Sequence, residues 1–241
     1  MLNLMNRFEQ LYQSRLFEAT RPFNARGSTL KRCKVCRLAE ATCICLWRRE
    51  SSSRVDIVLL MHRDEVLKPT NTGRLIADVL PKQTYAFVWH RTEPDNMLLT
   101  LLVDPTRVCA IVFPADNERL QQRPTLSVDE VRGASQKTTL LVLDGTWKQA
   151  RKMLLSSQWL ATLPLLVGLP DTEPSTYAVR SAVKAGQLST AEAVAHTLSA
   201  LGEDTASQDL QDYFSVFNEH YRATRLNIRP TLGEAHTRLT R

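Results

Sequence analysis

The segment Leu140–Leu154, LLVLDGTWKQARKML, is an apolar run that stops at Asp144-Gly145-Thr146-Trp147 and restarts as a basic stretch with helical spacing. It reads as strand, tight loop, helix. Gly145 is the only glycine between Gly133 and Gly168, and a glycine at such a join lets a ligand approach the backbone. The Thr146 hydroxyl is placed to cap the helix, and Trp147 opens that helix with a broad stacking surface. Each feature also has a plainer origin. Acidic residues often start turns, and Trp147 shares one helical face with Ala150 and Leu154, which is core packing. Lys148, Arg151 and Lys152 fall on other faces, forming a cationic rim that suits a phosphate backbone or plain solvent.

Further apolar runs occur at RVDIVLLMH (54–62), YAFVWH (85–90), RVCAIVFP (107–114) and LPLLVGLP (163–170). Helical stretches are expected over 72–80, 147–157, 190–201 and 208–224. Near-continuous apolar strands alternating with helices predict an α/β fold, a mostly parallel sheet covered on both faces. In such sheets ligands bind beyond the carboxyl ends of the strands. Those ends read His62-Arg63-Asp64-Glu65, Phe113-Pro114-Ala115-Asp116 and Asp144-Gly145-Thr146-Trp147, so three of them carry carboxylates. Lys68 to Arg74, KPTNTGR, opens a helix with small hydroxyl and amide groups, a seat for an anion or simply a cap. Ser189-x-x-Glu192 is a capping box, and Tyr177-x-x-Arg180 lies a little upstream of it.

The net charge of +6 is divided unevenly along the chain. Residues 1–54 hold 11 Lys and Arg against 4 Asp and Glu, residues 221–241 hold 5 against 1, and the middle holds 15 against 20. Basic ends around an acidic middle suggest arms that grip a polyanion. Four of the five cysteines lie in RCKVCRLAEATCICLW as Cys33-x2-Cys36-x6-Cys43-x-Cys45, two close pairs suited to one tetrahedral zinc ion. Cys109, inside VCAIVF, reads as a buried strand residue. The first 20 residues lack the apolar core of a secretory signal, and no run approaches the roughly 20 apolar residues of a membrane helix, so a cytoplasmic location with reduced cysteines is expected. The chain divides into a basic N-terminal helix and zinc segment over 1–54, a catalytic domain over 55–225 and a basic tail over 226–241. With no Gly-x-Gly, no His-x3-His and no Gly-x-Ser-x-Gly, the familiar nucleotide loops, catalytic zinc helices and serine hydrolase elbows are excluded.

Taken in order, the cysteine set, KPTNTGRLIADVLP, VFPAD, LDGTWKQARKM and Tyr177-x2-Arg180 with STAE (189–192) resemble the DTW-domain family, and more narrowly the bacterial tRNA-uridine aminocarboxypropyltransferases. The resemblance spans about Cys33 to Tyr221 and centres on Asp144-x-Thr146-Trp147. It implies transfer of the 3-amino-3-carboxypropyl group of S-adenosylmethionine to N3 of a tRNA uridine, in the variable loop for bacterial relatives, with release of methylthioadenosine. It also implies a SPOUT-like sheet whose cofactor site is a knot of loops, which needs no dinucleotide fingerprint. On that basis Asp144, Thr146 and Trp147 are the catalytic candidates. Glu65, Asn71, Thr72, Gly73, Pro114, Asp144, Gly145, Tyr177, Arg180, Thr190 and Glu192 are candidates for holding S-adenosylmethionine. Lys31, Arg32, Lys34, Arg37, Lys148 and Arg151 are candidates for holding tRNA. A SPOUT-type methyltransferase and a non-catalytic zinc-containing RNA-binding module are the competing readings.

Overall fold

The computed structural model describes residues 5–20, 30–170 and 188–240. Six strands, β1 (Asp56–Met61), β2 (Thr84–Val88), β3 (Arg107–Val112), β4 (Thr125–Ser127), β5 (Lys137–Asp144) and β6 (Leu165–Val167), form one sheet in the order β2-β1-β5-β3-β6-β4. All the pairings are parallel. The central strands β1 and β5 pair from Asp56↔Thr139 to Met61↔Asp144 and are buried along nearly their whole length, which is why they read as unbroken apolar runs.

Side chains alternate between two cores. Ile57, Leu59, Met61, Leu140 and Val142 face a large core, which is closed by helices α1 (Arg7–Phe17), α2 (Gly73–Val79), α5 (Val128–Gly133), α7 (Thr190–Ala200), α8 (Asp204–Leu226) and α9 (Glu234–Leu239). Val58, Leu60, Leu141 and Leu143 face a smaller one, which is closed by α3 (Asn96–Val103), α4 (Glu118–Gln121) and α6 (Trp147–Ser156). The expected two-sided sheet is therefore present. A knot would be tied in the connection from β6 to α7, which runs mainly through 171–187 and lies outside the described residues.

The described residues of both basic flanks are built into this body. Cys36, Leu38 and Ile44 are buried in the same core as Ile57 and Leu59, so the cysteine segment is continuous with the sheet's packing. Ser51–Arg54, at the boundary expected between the N-terminal segment and the catalytic domain, is tied down: the Ser51 amide donates to the Val79 carbonyl and Arg54 pairs with Glu203 at 2.9 Å. Helix α1 runs beside the outer strand β2, with the Arg7 guanidinium 3.6 Å from the centre of the Tyr85 ring. The stretch from residue 226 onward, read as a tail, ends in α9 packed on α8, where Arg238 pairs with Asp212 at 2.7 Å. No helix among the described residues is long and apolar enough to cross a membrane.

His220 and His236 are buried where α8 and α9 meet the cysteine segment, both packed edge-on against Trp47. Their partners fix the tautomers. The Thr42 carbonyl, 3.1 Å from His220 Nδ1, accepts from that nitrogen, and His236 Nδ1 accepts from the Gly233 amide at 3.0 Å. His236 Nε2–H is then left to donate to His220 Nε2, 3.1 Å away. Both rings are neutral, and burial lowers both pKa values below the ordinary 6.5. A depressed histidine pKa means the unfolded chain takes up protons first as pH falls. Stability is thus full above about pH 6.5 and declines below it, by up to about 1.4 kcal/mol per pH unit for each withheld proton. Urea unfolding at pH 7.5, 6.5 and 5.5 should show this decline, and His236→Gln should flatten it.

Candidate functional site

The β1 and β5 chains part company at the carboxyl edge of the sheet. After β1 the chain turns toward the large core and forms α2; after β5 it turns toward the small core and forms α6. A crevice opens where adjacent strands send their loops to opposite faces. Asp144 ends β5 at that point, paired with Met61, and its carbonyl accepts from the His62 amide at 2.8 Å. It has the same parity as Leu140 and Val142, so its side chain points toward α2 and α7.

The Asp144 carboxylate is buried, and its two oxygens are held from two different helix starts. Oδ2 accepts from the Asn71 side-chain amide, and Oδ1 accepts from the Thr190 hydroxyl at 2.6 Å. Asn71 serves both sides of this contact, since its Oδ1 caps α2 by accepting from the Arg74 amide at 2.9 Å. Thr72 Oγ1 accepts from the Ala191 amide at 3.4 Å, joining the same two helix starts a second time. The Asn71-Thr72-Gly73 stretch, expected as an anion seat or a cap, therefore lies against the chain's own carboxylate. A Cβ added at Gly73 would lie 3.0 Å from Asp144 Cγ and 2.8 Å from its Oδ2, the latter closer than real contacts allow. Gly73→Ala should push the carboxylate off Asn71 and cost about 1–3 kcal/mol, as small-to-large changes in packed sites do. A melting curve within error of the wild type would show that the pocket has slack.

The rest of the join is capping and packing. Thr146 Oγ1 accepts from the Gln149 amide at 3.3 Å while Gln149 Oε1 accepts from the Thr146 amide at 2.8 Å, a reciprocal cap at the start of α6. Trp147 is half-buried against Phe113, ring centres 5.7 Å apart. Gly145 sits next to this cap, where a Cβ would meet Gln149 Cβ at 3.1 Å. Glu192 Oε2 accepts from the Ser189 amide at 2.8 Å, the capping box the sequence signalled. Glu65 is buried in the turn after β1 and pairs with Lys68. Val112↔Val142 pairing sets Pro114, exposed, level with Asp144 on the far side of β5. Tyr177 and Arg180 lie outside the described residues.

His62 belongs to this crevice although the motifs did not single it out. Its Nδ1 lies 3.1 Å from Gln149 Nε2, and its ring stacks on Trp89 at 6.1 Å. The available signal was positional: His62 is the first residue past β1.

The candidate tRNA contacts separate by environment. Lys34 and Lys148 are exposed, and Lys31 is exposed while paired with Glu40 at 2.9 Å. Arg32 donates to the Arg37 carbonyl at 3.1 Å. Arg151 is engaged by both oxygens of Asp116, which holds that carboxyl below the usual range. Arg37 is buried, ion-paired with Glu9 and lying 3.7 Å over the Tyr12 ring, so its charge is used inside the fold. Its left-handed backbone, φ 60°, follows the turn that brings the Arg37 amide to the Cys33 carbonyl at 2.9 Å.

That turn assembles the thiols. The four Sγ atoms of Cys33, Cys36, Cys43 and Cys45 all lie within 4.8 Å of one another, with Cys33–Cys45 and Cys36–Cys43 each at 3.6 Å. A disulfide needs about 2.05 Å, whereas tetrahedral Zn–S bonds of about 2.3 Å put sulfurs roughly 3.8 Å apart. The donor set and its spacing fit zinc. Hydrogen bonding from the Cys45 thiol draws Cys36 down to about 4, while Cys45 is pushed far up by that same contact. Four thiols this close cannot all ionise without a cation to share. Cys109 stands apart, half-buried on β3, with burial raising its pKa.

No solved structure matches the chain. The family model for the DTW domain matches residues 30–222, which takes in the cysteine segment, the whole sheet and most of α8. Membership is consistent with a tRNA-modifying enzyme. The chain belongs to the DTW-domain family.

Proposed function

We propose that the protein transfers the 3-amino-3-carboxypropyl group of S-adenosylmethionine to N3 of a uridine in tRNA. The observation that carries this reading is the contact at the carboxyl ends of β1 and β5, where Asp144 clasps the starts of α2 and α7 inside a DTW domain. In the reaction the uracil N3–H loses its proton, and the N3 lone pair attacks Cγ of the methionine portion. The Cγ–S bond breaks, and its electron pair stays on sulfur as methylthioadenosine. Positioning is most of the catalysis, because the sulfonium has three carbons open to attack and only one is wanted.

Asp144 already accepts from Asn71 and Thr190, so its assigned role is to hold the crevice in shape, with the proton passing elsewhere. The α6 rim with Lys148 and the exposed Lys31 and Lys34 are assigned to tRNA phosphates, and zinc is assigned to the four thiolates as a structural ion. A cytoplasmic site of action accords with the tRNA substrate.

The test is incubation of purified protein with S-adenosylmethionine and unmodified tRNA, followed by analysis of nucleosides and small-molecule products. Aminocarboxypropyluridine and methylthioadenosine are expected. S-adenosylhomocysteine with a methylated base would replace this reading by methyl transfer, and tRNA binding with no change in nucleoside mass would reduce the protein to an RNA-binding module.

A further inference from the structure

His62 shares the parity of Val58 and Leu60, so its side chain falls on the α6 side of the sheet, opposite to that of Asp144. Trp89, Asp64 and Gln149 hold the ring. The Trp89 ring lies 21° from parallel with it, and Trp89 is pinned in turn by its Nε1–H, which donates to the Ser157 hydroxyl at 2.8 Å just past α6. The Asp64 backbone amide donates to His62 Nδ1 at 3.3 Å, and Gln149 Nε2 lies 3.1 Å from the same nitrogen.

The helix cap decides the direction of the Gln149 contact. Gln149 Oε1 accepts from the Thr146 amide at 2.8 Å, so the NH2 end of the carboxamide is the one that faces His62. With N–H groups from Asp64 and Gln149 both aimed at it, Nδ1 is an acceptor, and the neutral ring carries its proton on Nε2. The Asp64 carboxylate, 3.6 Å from Nδ1 and largely exposed, is beyond hydrogen-bond reach and does not reverse this. Nε2 makes no hydrogen bond to any of the described residues, and 21% of the side chain is exposed. The ring is thus a fixed donor at the carboxyl edge of the sheet, and Thr146 sets its tautomer through Gln149.

We propose that His62 is a catalytic hydrogen-bond donor whose Nε2–H meets a carbonyl oxygen of the target uracil, with Gln149 the positioning residue that keeps the proton on Nε2. This rests on the reading of this end of the sheet as a uridine transferase site. Uracil N3 lies between two carbonyls, and when the N3–H bond breaks its electron pair is shared with both oxygens. A donor on one of them stabilises the anion that goes on to attack Cγ as the Cγ–S bond breaks. The N3 proton passes to solvent, because Nδ1 is occupied by the Asp64 and Gln149 donors and Nε2 is already protonated.

The experiment measures methylthioadenosine release and nucleoside product for wild type, His62→Phe and His62→Gln over a range of S-adenosylmethionine and tRNA concentrations. A wild type that forms no aminocarboxypropyluridine would remove the transferase reading and the proposal with it. With that reading intact, the Phe variant, which keeps a ring against Trp89 without an N–H, should lower kcat by about 10²- to 10³-fold, the usual cost of removing one such donor. KM for S-adenosylmethionine should change little, and the Gln variant, whose NH2 reaches about as far as Nε2, should recover part of the loss. An unchanged kcat would overturn the proposal, and so would a loss confined to KM for S-adenosylmethionine, which would put the ring on the cofactor. Nitrogen-15 spectra of histidine-labelled protein, at a pH where the ring is neutral, should show the proton on Nε2; a proton on Nδ1 would overturn the proposal whatever the variants do. Gln149→Glu keeps an acceptor for the Thr146 amide but turns another toward Nδ1, so it should draw the ring proton to Nδ1 and lower kcat as the Phe variant does. Full activity with the proton moved would overturn the donor role.

Discussion

Asp144→Ala is expected to abolish aminocarboxypropyluridine formation and to destabilise the fold by about 3 kcal/mol. Hydrogen bonds to a charged group contribute roughly 1.5–3 kcal/mol each, and two are lost together. The loss also strands the Asn71 amide and the Thr190 hydroxyl beside a new void at the end of β5. Asp144→Asn separates charge from volume. It keeps the shape but presents an amide where an acceptor is needed, so it should retain part of the stability and still lose activity. Urea unfolding reads the first effect and nucleoside mass spectrometry of tRNA the second. An Ala variant as stable as the wild type would mean that α2 and α7 are held in place without this clasp. An undiminished nucleoside signal would remove Asp144 from the site.

Loss of the metal is the second large expected effect, and its reach is set by the packing of Cys36. A zinc knuckle on a flexible arm would melt by itself and leave the sheet alone. Here Cys36, Leu38 and Ile44 are buried with Ile57, Leu59 and Phe217 in one core. Chelator treatment, or Cys36→Ser, should therefore lower the main unfolding transition. A loss of about 4 kcal/mol would move the midpoint by roughly 10 °C for a chain of this size. Calorimetry of the two forms decides it. A low-temperature transition appearing beside an unmoved main one would show the cysteine segment to be energetically separate.

Five of the six strands were legible as apolar runs, most plainly β1 and β5, which are buried on both faces and so must be apolar nearly throughout. β4 was not, since Thr125-Leu126-Ser127 is a short outer strand with no apolar run. α3, NMLLTLLV, is nearly all apolar and carries no period of 3.6, so only its cap marks it as a helix, Asp95 accepting from the Met97 and Leu98 amides. At the site the sequence marked Asn71, Asp144 and Thr190 separately and could not show that they meet. Asn71-Thr72-Gly73 reads as an anion seat or a cap, and the structure places the Asp144 carboxylate against it through the Asn71 side chain. Seeing that requires knowing that α2 covers the face to which even-numbered β5 residues point. Arg74 was illegible for a related reason. On an ordinary surface helix it would be a solvated charge, whereas all of Gly73–Val79 is buried.

The contact between Thr42 and His220 has a bearing on how the chain is made. These residues are 178 positions apart, and Thr42 also shares a hydrogen bond with Thr224. The apolar side of the cysteine loop is covered by α8, so a nascent chain carries that side open while everything between is produced. Closing so long a loop is slow, and it cannot begin until α8 is made. The domain is therefore expected to reach its native form only after α8 has left the ribosome, with the cysteine loop waiting for it.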